Sequence, residues 1–271
     1  MDQTQTSSKP KVPNADIRKT IVEIVHNSGA AHIGSALSCV EILNAIFKSV
    51  NLQKIKDRTI DRNRILLSKG HATAALYTVM YHHGLLSRDE IYSYSKNESL
   101  LAGHASHHVP FVEHSTGALG HGLPVALGVA IGLKTRKSDA RVFVVVGDGE
   151  LHEGSNWETF MLAGHLKMTN LCVLVDRNNL QQVGQVEATC SIESLKAKLE
   201  SFNFNVFEND GHNEQEITEK IKNSQNSPQP VAIICRTTKG KGVSFMENNN
   251  LWHYRAPQGE DYEKALRELA L

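Results

Sequence analysis

Two runs decide the fold: Val142-Phe-Val-Val-Val-Gly147-Asp-Gly149 and Leu171-Cys-Val-Leu-Val-Asp176-Arg-Asn-Asn179. Each is continuously apolar and then breaks into a polar turn. Between them, from about Ser155 to Met168, apolar residues recur with a helical period. Strand, helix, strand, with strands apolar on both sides, predicts a parallel sheet covered on both faces. A third run, Val231-Ala-Ile-Ile-Cys235, follows a polar helical stretch near Glu214–Lys222. The expected class is α/β, a doubly wound, mostly parallel sheet with helices on both faces.

Outward from these runs, Ile17, Ile21, Ile24 and Val25 recur at helical spacing, as do Val40, Leu43 and Phe47. Ile65-Leu66-Leu67 is a short buried-strand candidate, and Ala72–Tyr81 reads as a helix ended by His83-Gly84. Ser87-Arg-Asp-Glu90 has the form of a capping box and predicts a helix start. Leu119–Leu133, rich in Ala, Gly and aliphatics, predicts a tightly packed buried helix, and Tyr262–Leu269 a polar one. No repeat, low-complexity tract or linker interrupts the chain. Residues 1–13 are expected to be a flexible N-terminus and residues 14–271 a single domain.

The 271 residues carry 29 Lys+Arg and 29 Asp+Glu. This balance argues against general nucleic-acid binding, which uses a basic excess. No apolar run approaches the ~20 residues of a membrane span. Neither nucleic acid nor membrane is an expected partner. Cys39, Cys172, Cys190 and Cys235 show no Cys-x-x-Cys or zinc spacing, and the polar N-terminus lacks a signal core. Reduced thiols in a cytoplasmic protein are expected.

Parallel sheets bind ligands beyond the carboxyl ends of their strands. Gly147-Asp148-Gly149 and Asp176-Arg177-Asn178-Asn179 stand at two such ends, and adjacent strands would bring Asp148 and Asn178 together. A carboxylate and an amide oxygen suit Mg²⁺, which takes a few protein oxygens and completes its octahedron with phosphate oxygens and water. The glycines allow the backbone to approach a diphosphate, and the helix N-terminus that follows favours the anion. Gly-Asp-Gly alone reads equally well as a strand-ending turn.

Gly147-Asp148-Gly149 followed by Asn178-Asn179 resembles the thiamine diphosphate signature. Glu150-Leu-His-Glu-Gly-Ser-Asn-Trp-Glu158 and Asp176–Gln181 resemble transketolases in particular. Further motifs run in the order of the family's N-terminal, diphosphate-binding half: His32-Ile-Gly34, Ser68-Lys-Gly-His71, Gly103-His104, Ser115-Thr-Gly-Ala-Leu-Gly-His-Gly122, Asp210-Gly-His212, Thr238-Lys-Gly-Lys-Gly242 and Trp252-His253.

The resemblance implies a thiamine diphosphate-binding (PP) fold in which Asp148, Asn178 and the Leu180 carbonyl hold Mg²⁺, with Ca²⁺ or Mn²⁺ as substitutes. It implies cofactor contacts from His71, Gly147, Asp148, Gly149, Glu150, Asn178 and His253, with Gly117 and Leu119 at the thiazolium. His32, His71, His104 and His253 would be the catalytic histidines of the channel, since imidazole moves protons near neutral pH. Glu153 and Glu158 are either a solvated face or interface residues; the family favours the interface. The implied reaction is reversible transfer of a two-carbon ketol unit from a ketose, expected to be phosphorylated, to an aldose. In the family the activating glutamate lies in a second domain, and no residue here matches it. The resemblance therefore implies a split transketolase, whose C-terminal subunit (Pyr and C-terminal domains) completes an α2β2 heterotetramer.

Three other readings stay open. A 2-oxo acid dehydrogenase α-type subunit would share the metal motif but not Ser68–His71. A deoxyxylulose-phosphate synthase-like enzyme would keep both halves on one chain. A non-catalytic scaffold would need none of the ligand positions. Lys69 is expected as a solvated charge at a helix start, and Lys239–Gly242 as either a solvated turn or a cofactor contact. His104-Ala-Ser-His107-His108 has no further spaced ligands for zinc. Ala31, Ile33, Ala105, Phe111 and His121 depart from the family pattern, which suggests a reshaped acceptor channel and a non-standard sugar.

Overall fold

Five parallel strands form the sheet in the order β1–β2–β3–β7–β6: β1 Arg64–Leu67, β2 Val142–Gly147, β3 Leu171–Arg177, β6 Asn205–Asp210 and β7 Val231–Arg236. A two-residue hairpin, β4 Leu180–Gln181 with β5 Gly184–Gln185, follows β3. The computed structural model describes residues 13–270. The expected flexible tail over residues 1–13 lies, apart from Pro13, outside the described residues.

The helices are α1 Asn14–Ser28, α2 Ile33–Ser38, α3 Val40–Ser49, α4 Leu52–Lys56, α5 Thr73–His82, α6 Arg88–Tyr92, α7 Gly122–Thr135, α8 Gly154–His165, α9 Val186–Thr189, α10 Leu195–Ser201, α11 Glu214–Asn223 and α12 Glu260–Leu269. Alternation along the strands sorts them into two layers. Val142, Val144, Val146, Leu171, Val173 and Val175 bury against α7, α8 and α10. Phe143, Val145, Cys172 and Leu174 point the other way, into the core shared with α1, α2, α3, α5, α11 and α12. The doubly wound α/β architecture is thus as expected. The capping box at Ser87 and Glu90 is also present.

Three details differ from the sequence reading. α7 is not buried all round, since Gly128 and Gly132 lie on an exposed face with nothing near them. Glu153, expected to share one face with Glu158, is instead the N-cap residue that precedes α8. β6 went unread because its polar residues, Asn205, Glu208, Asn209 and Asp210, mask the two-residue period of an edge strand. Among the described residues no helix is long and apolar enough to cross a membrane.

Where α8 crosses the end of α10 the approach is very close. A Cβ on Gly164 would stand 1.7 Å from the Phe202 carbonyl oxygen. Gly164→Ala is expected to destabilise the chain by about 1–3 kcal/mol or more. At roughly 2–4 °C per kcal/mol, that lowers the melting temperature by several degrees. Thermal denaturation checks it; an unchanged midpoint would show that the two helices can separate freely.

Candidate active site

Parallel pairing of β2 with β3 sets Gly147 opposite Asp176, so Asp148 and Asn178 emerge side by side at the carboxyl edge of the sheet. Ser68–His71 follows β1 at the same edge, and Thr238 and Lys239 follow β7. His32, His71, His104, His253, Gly117, Leu119, Gly147, Asp148, Gly149, Glu150, Asn178 and Leu180 all line one cavity of about 360 Å³. Glu153 and Glu158 are not among its lining residues, and both are exposed.

The Asp148 carboxylate is buried. Its Oδ1 accepts the Gly149 N–H at 2.8 Å, and Oδ2 accepts the Asn179 N–H at 2.5 Å and Arg177 Nη1 at 3.0 Å. Arg177 Nη2 reaches Glu187 at 2.5 Å and Glu193 at 2.9 Å. Burial and the neighbouring Asp176 charge push the Asp148 carboxyl above its ordinary value, against the pull of Asn179 and Arg177. Asn178 Oδ1 accepts the Leu180 N–H at 3.1 Å.

Two lysines stand beneath these residues. Lys69 corrects the expectation of a solvated charge: it is 1% exposed and paired with the fully buried Asp176. The loop after β1 turns it under the site, where Asp176 requires a countercharge. Lys239, also buried, donates to the Leu180 carbonyl at 3.3 Å and to His253 Nδ1 at 2.6 Å. Burial and the Lys69 charge lower its ammonium to about 8. Lys239 thus bonds two residues of the cavity wall and is not solvated, whereas the Lys241 side chain is 39% exposed.

His32 is the hub of the histidine group. Its ring lies 5.3 Å from His71, 5.8 Å from His104 and 5.5 Å from His253. Its backbone is left-handed at φ 72, a conformation that histidine tolerates better than most non-glycine residues. Burial first, then His104 and Lys239, lower His32 to about 4; burial and Lys239 lower His253 to about 3. Burial and Lys69 take His71 well below its usual value. The shared direction favours the neutral form of all three imidazoles.

A neutral folded histidine also affects stability. The unfolded chain takes up protons near pH 6.5, whereas folded His32 does so only near about 4. The stabilising contribution of these histidines is therefore complete above pH 6.5 and is lost as pH falls towards 4. His32→Gln/His253→Gln is expected to flatten the melting-temperature profile over that window; an unchanged slope would contradict the depressed values.

The donor chemistry fits a metal-bound diphosphate. One carboxylate, one amide oxygen and one backbone carbonyl form a hard-oxygen set. Gln181, which also lines the cavity, leaves its buried Nε2 without a partner, a donor available to an anion. Glu150 is differently employed. Its Oε1 accepts Ser68 Oγ and the Gly120 N–H, and its Oε2 accepts the Gly147 N–H. Its carboxylate ties the Ser68 and Gly120 loops to the end of β2, while the residue forms part of the cavity wall.

Among the described residues no three His, Cys, Asp or Glu cluster as a metal site, so the zinc reading of His104–His108 has no support. Ser35, Lys69 and Gln181 line the cavity but were not read as site residues. No local pattern distinguishes them from structural positions.

A family model described as "Transketolase, thiamine diphosphate binding domain" matches residues 11–270. The chain is 39% identical to one of the subunits of the apulose-4-phosphate transketolase of Phocaeicola vulgatus, with 93% of this chain and 91% of that one aligned. It is 32% identical to the transketolase of Homo sapiens over 93% of its length, but spans only 41% of that protein. The crystal structure of transketolase from Campylobacter jejuni superposes with a TM-score of 0.87 at 28% identity, covering 95% of this chain and 42% of that one.

Proposed function

Because the chain belongs to the transketolase thiamine diphosphate-binding domain family, we propose that it is the diphosphate-binding subunit of a split transketolase, Mg²⁺-dependent and active in the cytoplasm with a second subunit. The observation that carries this is the convergence of Asp148, Asn178, Leu180 and four histidines on one cavity, with Lys239 bonded to Leu180 and His253 of its wall.

Asp148, Asn178 and the Leu180 carbonyl would hold Mg²⁺, and Ca²⁺ or Mn²⁺ suits the same oxygens. Lys239 and Gln181 Nε2 would meet diphosphate oxygens beside Gly147, Gly149 and His71. Gly117 and Leu119 would border the thiazolium. When bound, thiamine diphosphate supplies the stabilised carbanion that ketol transfer requires. His32, His104 and His253 would orient sugar hydroxyls and hold or accept their protons. The substrate for which the Phocaeicola vulgatus relative is named makes apulose-4-phosphate the first ketose to test with an aldose acceptor.

A partner is supported by two features. Both carboxylates of the cavity, Asp148 and Glu150, are committed to donors of this chain, which leaves no acid for activating the cofactor's pyrimidine. The rim also exposes large apolar side chains: Val183 is 79% exposed, Leu251 67% and Tyr254 72%. On α8, Met161 and Leu162 are exposed near Glu158, which suits a contact in an α2β2 assembly.

Thiamine diphosphate with Mg²⁺ is expected to raise the melting temperature, whereas thiamine, or thiamine diphosphate with a chelator, leaves it unchanged. An equal shift with thiamine would overturn the diphosphate reading.

A further inference from the structure

We propose that Asp176 is a positioning residue that turns the Asn178 side-chain amide so that its oxygen, and not its nitrogen, faces the cation. This rests on the reading of Asn178 as a metal ligand.

The two ends of an amide have nearly the same shape, and only hydrogen-bond partners decide which way it points. Asn178 Nδ2 donates to Asp176 Oδ2 at 3.1 Å. A carboxylate cannot donate, so turning the amide over would set two oxygens against each other. The remaining oxygen, Asn178 Oδ1, is thereby oriented, and it also accepts the Leu180 N–H at 3.1 Å.

Asp176 can act this way because it is itself immobilised. It is 0% exposed; Ser38 Oγ donates to its Oδ2 at 2.5 Å, Lys69 Nζ pairs with the same oxygen, and Thr237 Oγ1 donates to Oδ1. Lys69 is anchored in turn on the Ser35 carbonyl at 3.3 Å. Segments following β1 and β7, together with α2, thus converge on one carboxylate whose outward contact is Asn178. A buried charge with this many donors costs desolvation that an apolar core would avoid. Outer-shell partners of this kind typically carry about 10–100-fold in metal affinity.

The test uses the 271-residue chain with excess thiamine diphosphate and Mn²⁺ as probe, free Mn²⁺ being read from its electron paramagnetic resonance signal. Asn178→Asp adds a carboxylate ligand, which alone would tighten a divalent site. With Asp176 facing it, two carboxylates meet, and affinity is expected to fall at least about ten-fold. Asp176→Asn/Asn178→Asp keeps the total charge and restores an N–H to oxygen contact in the reverse direction. It is expected to regain at least about ten-fold over the single variant, a coupling that a merely structural role would not produce.

A folded Asn178→Asp that binds Mn²⁺ as tightly as the native chain, or a double variant no better than the single, overturns the positioning role. Asn178→Ala separates the two readings. Unchanged affinity there sinks the ligand assignment, whereas a loss there without one in Asn178→Asp sinks only the positioning. A native chain that takes up no Mn²⁺ overturns both. Should Asn178→Asp fail to fold, the metal-free native chain carries the test. One Asn178 amide proton, bonded to a buried carboxylate, is expected to resist solvent exchange, and fast exchange of both overturns the proposal.

Discussion

Asp148→Asn is expected to lose the metal-dependent part of thiamine diphosphate binding while the chain stays folded. A ligand at one hundred times its dissociation constant stabilises the native state by about 2.7 kcal/mol. For a chain of this size that corresponds to a rise of roughly 5–11 °C in melting temperature. In Asp148→Asn the increment added by Mg²⁺ should vanish, and turnover in the reconstituted enzyme should fall at least about a hundred-fold, the upper end of the effect of outer-shell changes.

The asparagine is the informative substitution because it keeps the volume and one acceptor oxygen, which can stay with the Asn179 N–H while the Gly149 N–H loses its partner. Arg177 would retain Glu187 and Glu193. Asp148→Ala would leave those donors without their partner at about 1–3 kcal/mol each where they are buried, confusing binding with stability. A Mg²⁺-dependent shift that survives in Asp148→Asn would place the cation elsewhere.

Ketol transfer is expected to be absent from the purified chain and to appear only when a subunit carrying a pyrimidine-binding domain is added. The physical reason is the commitment of the acids. Glu150 accepts from Ser68, Gly120 and Gly147, and Asp148 from Gly149, Asn179 and Arg177. Neither can reach a pyrimidine nitrogen without abandoning buried donors. The assay measures transfer from a ketose phosphate to an aldose as the second subunit is titrated. Activity should saturate at a fixed ratio of the two chains, and substantial turnover without the second subunit would sink the partner requirement. Covering Val183, Leu251 and Tyr254 should accompany assembly and can be followed by hydrogen exchange at the rim.

Much of this was legible because its causes are local. Val142–Val146 and Leu171–Val175 are apolar on both sides, so they could be read as inner parallel strands, and adjacency then placed Asp148 beside Asn178. The capping box at Ser87 is a local pattern as well. β6 was not legible, since an edge strand can carry Asn205 and Glu208 without disturbing its pairing. Lys69 was misread because a lysine after a strand looks the same whether it meets water or a carboxylate distant in sequence.

By itself the sequence determined the α/β class, the strand ends that border the cavity and the family to which the chain belongs. These follow from periodicity, polar strand termini and motif order, all carried by short stretches of chain. Only the tertiary structure decided that Lys69 and Ser38 hold Asp176, that Ser68 and Gly120 engage Glu150, and that His32 gathers His71, His104 and His253 around it. Those contacts join segments far apart in the chain, and the register of the parallel strands brings their ends to one edge.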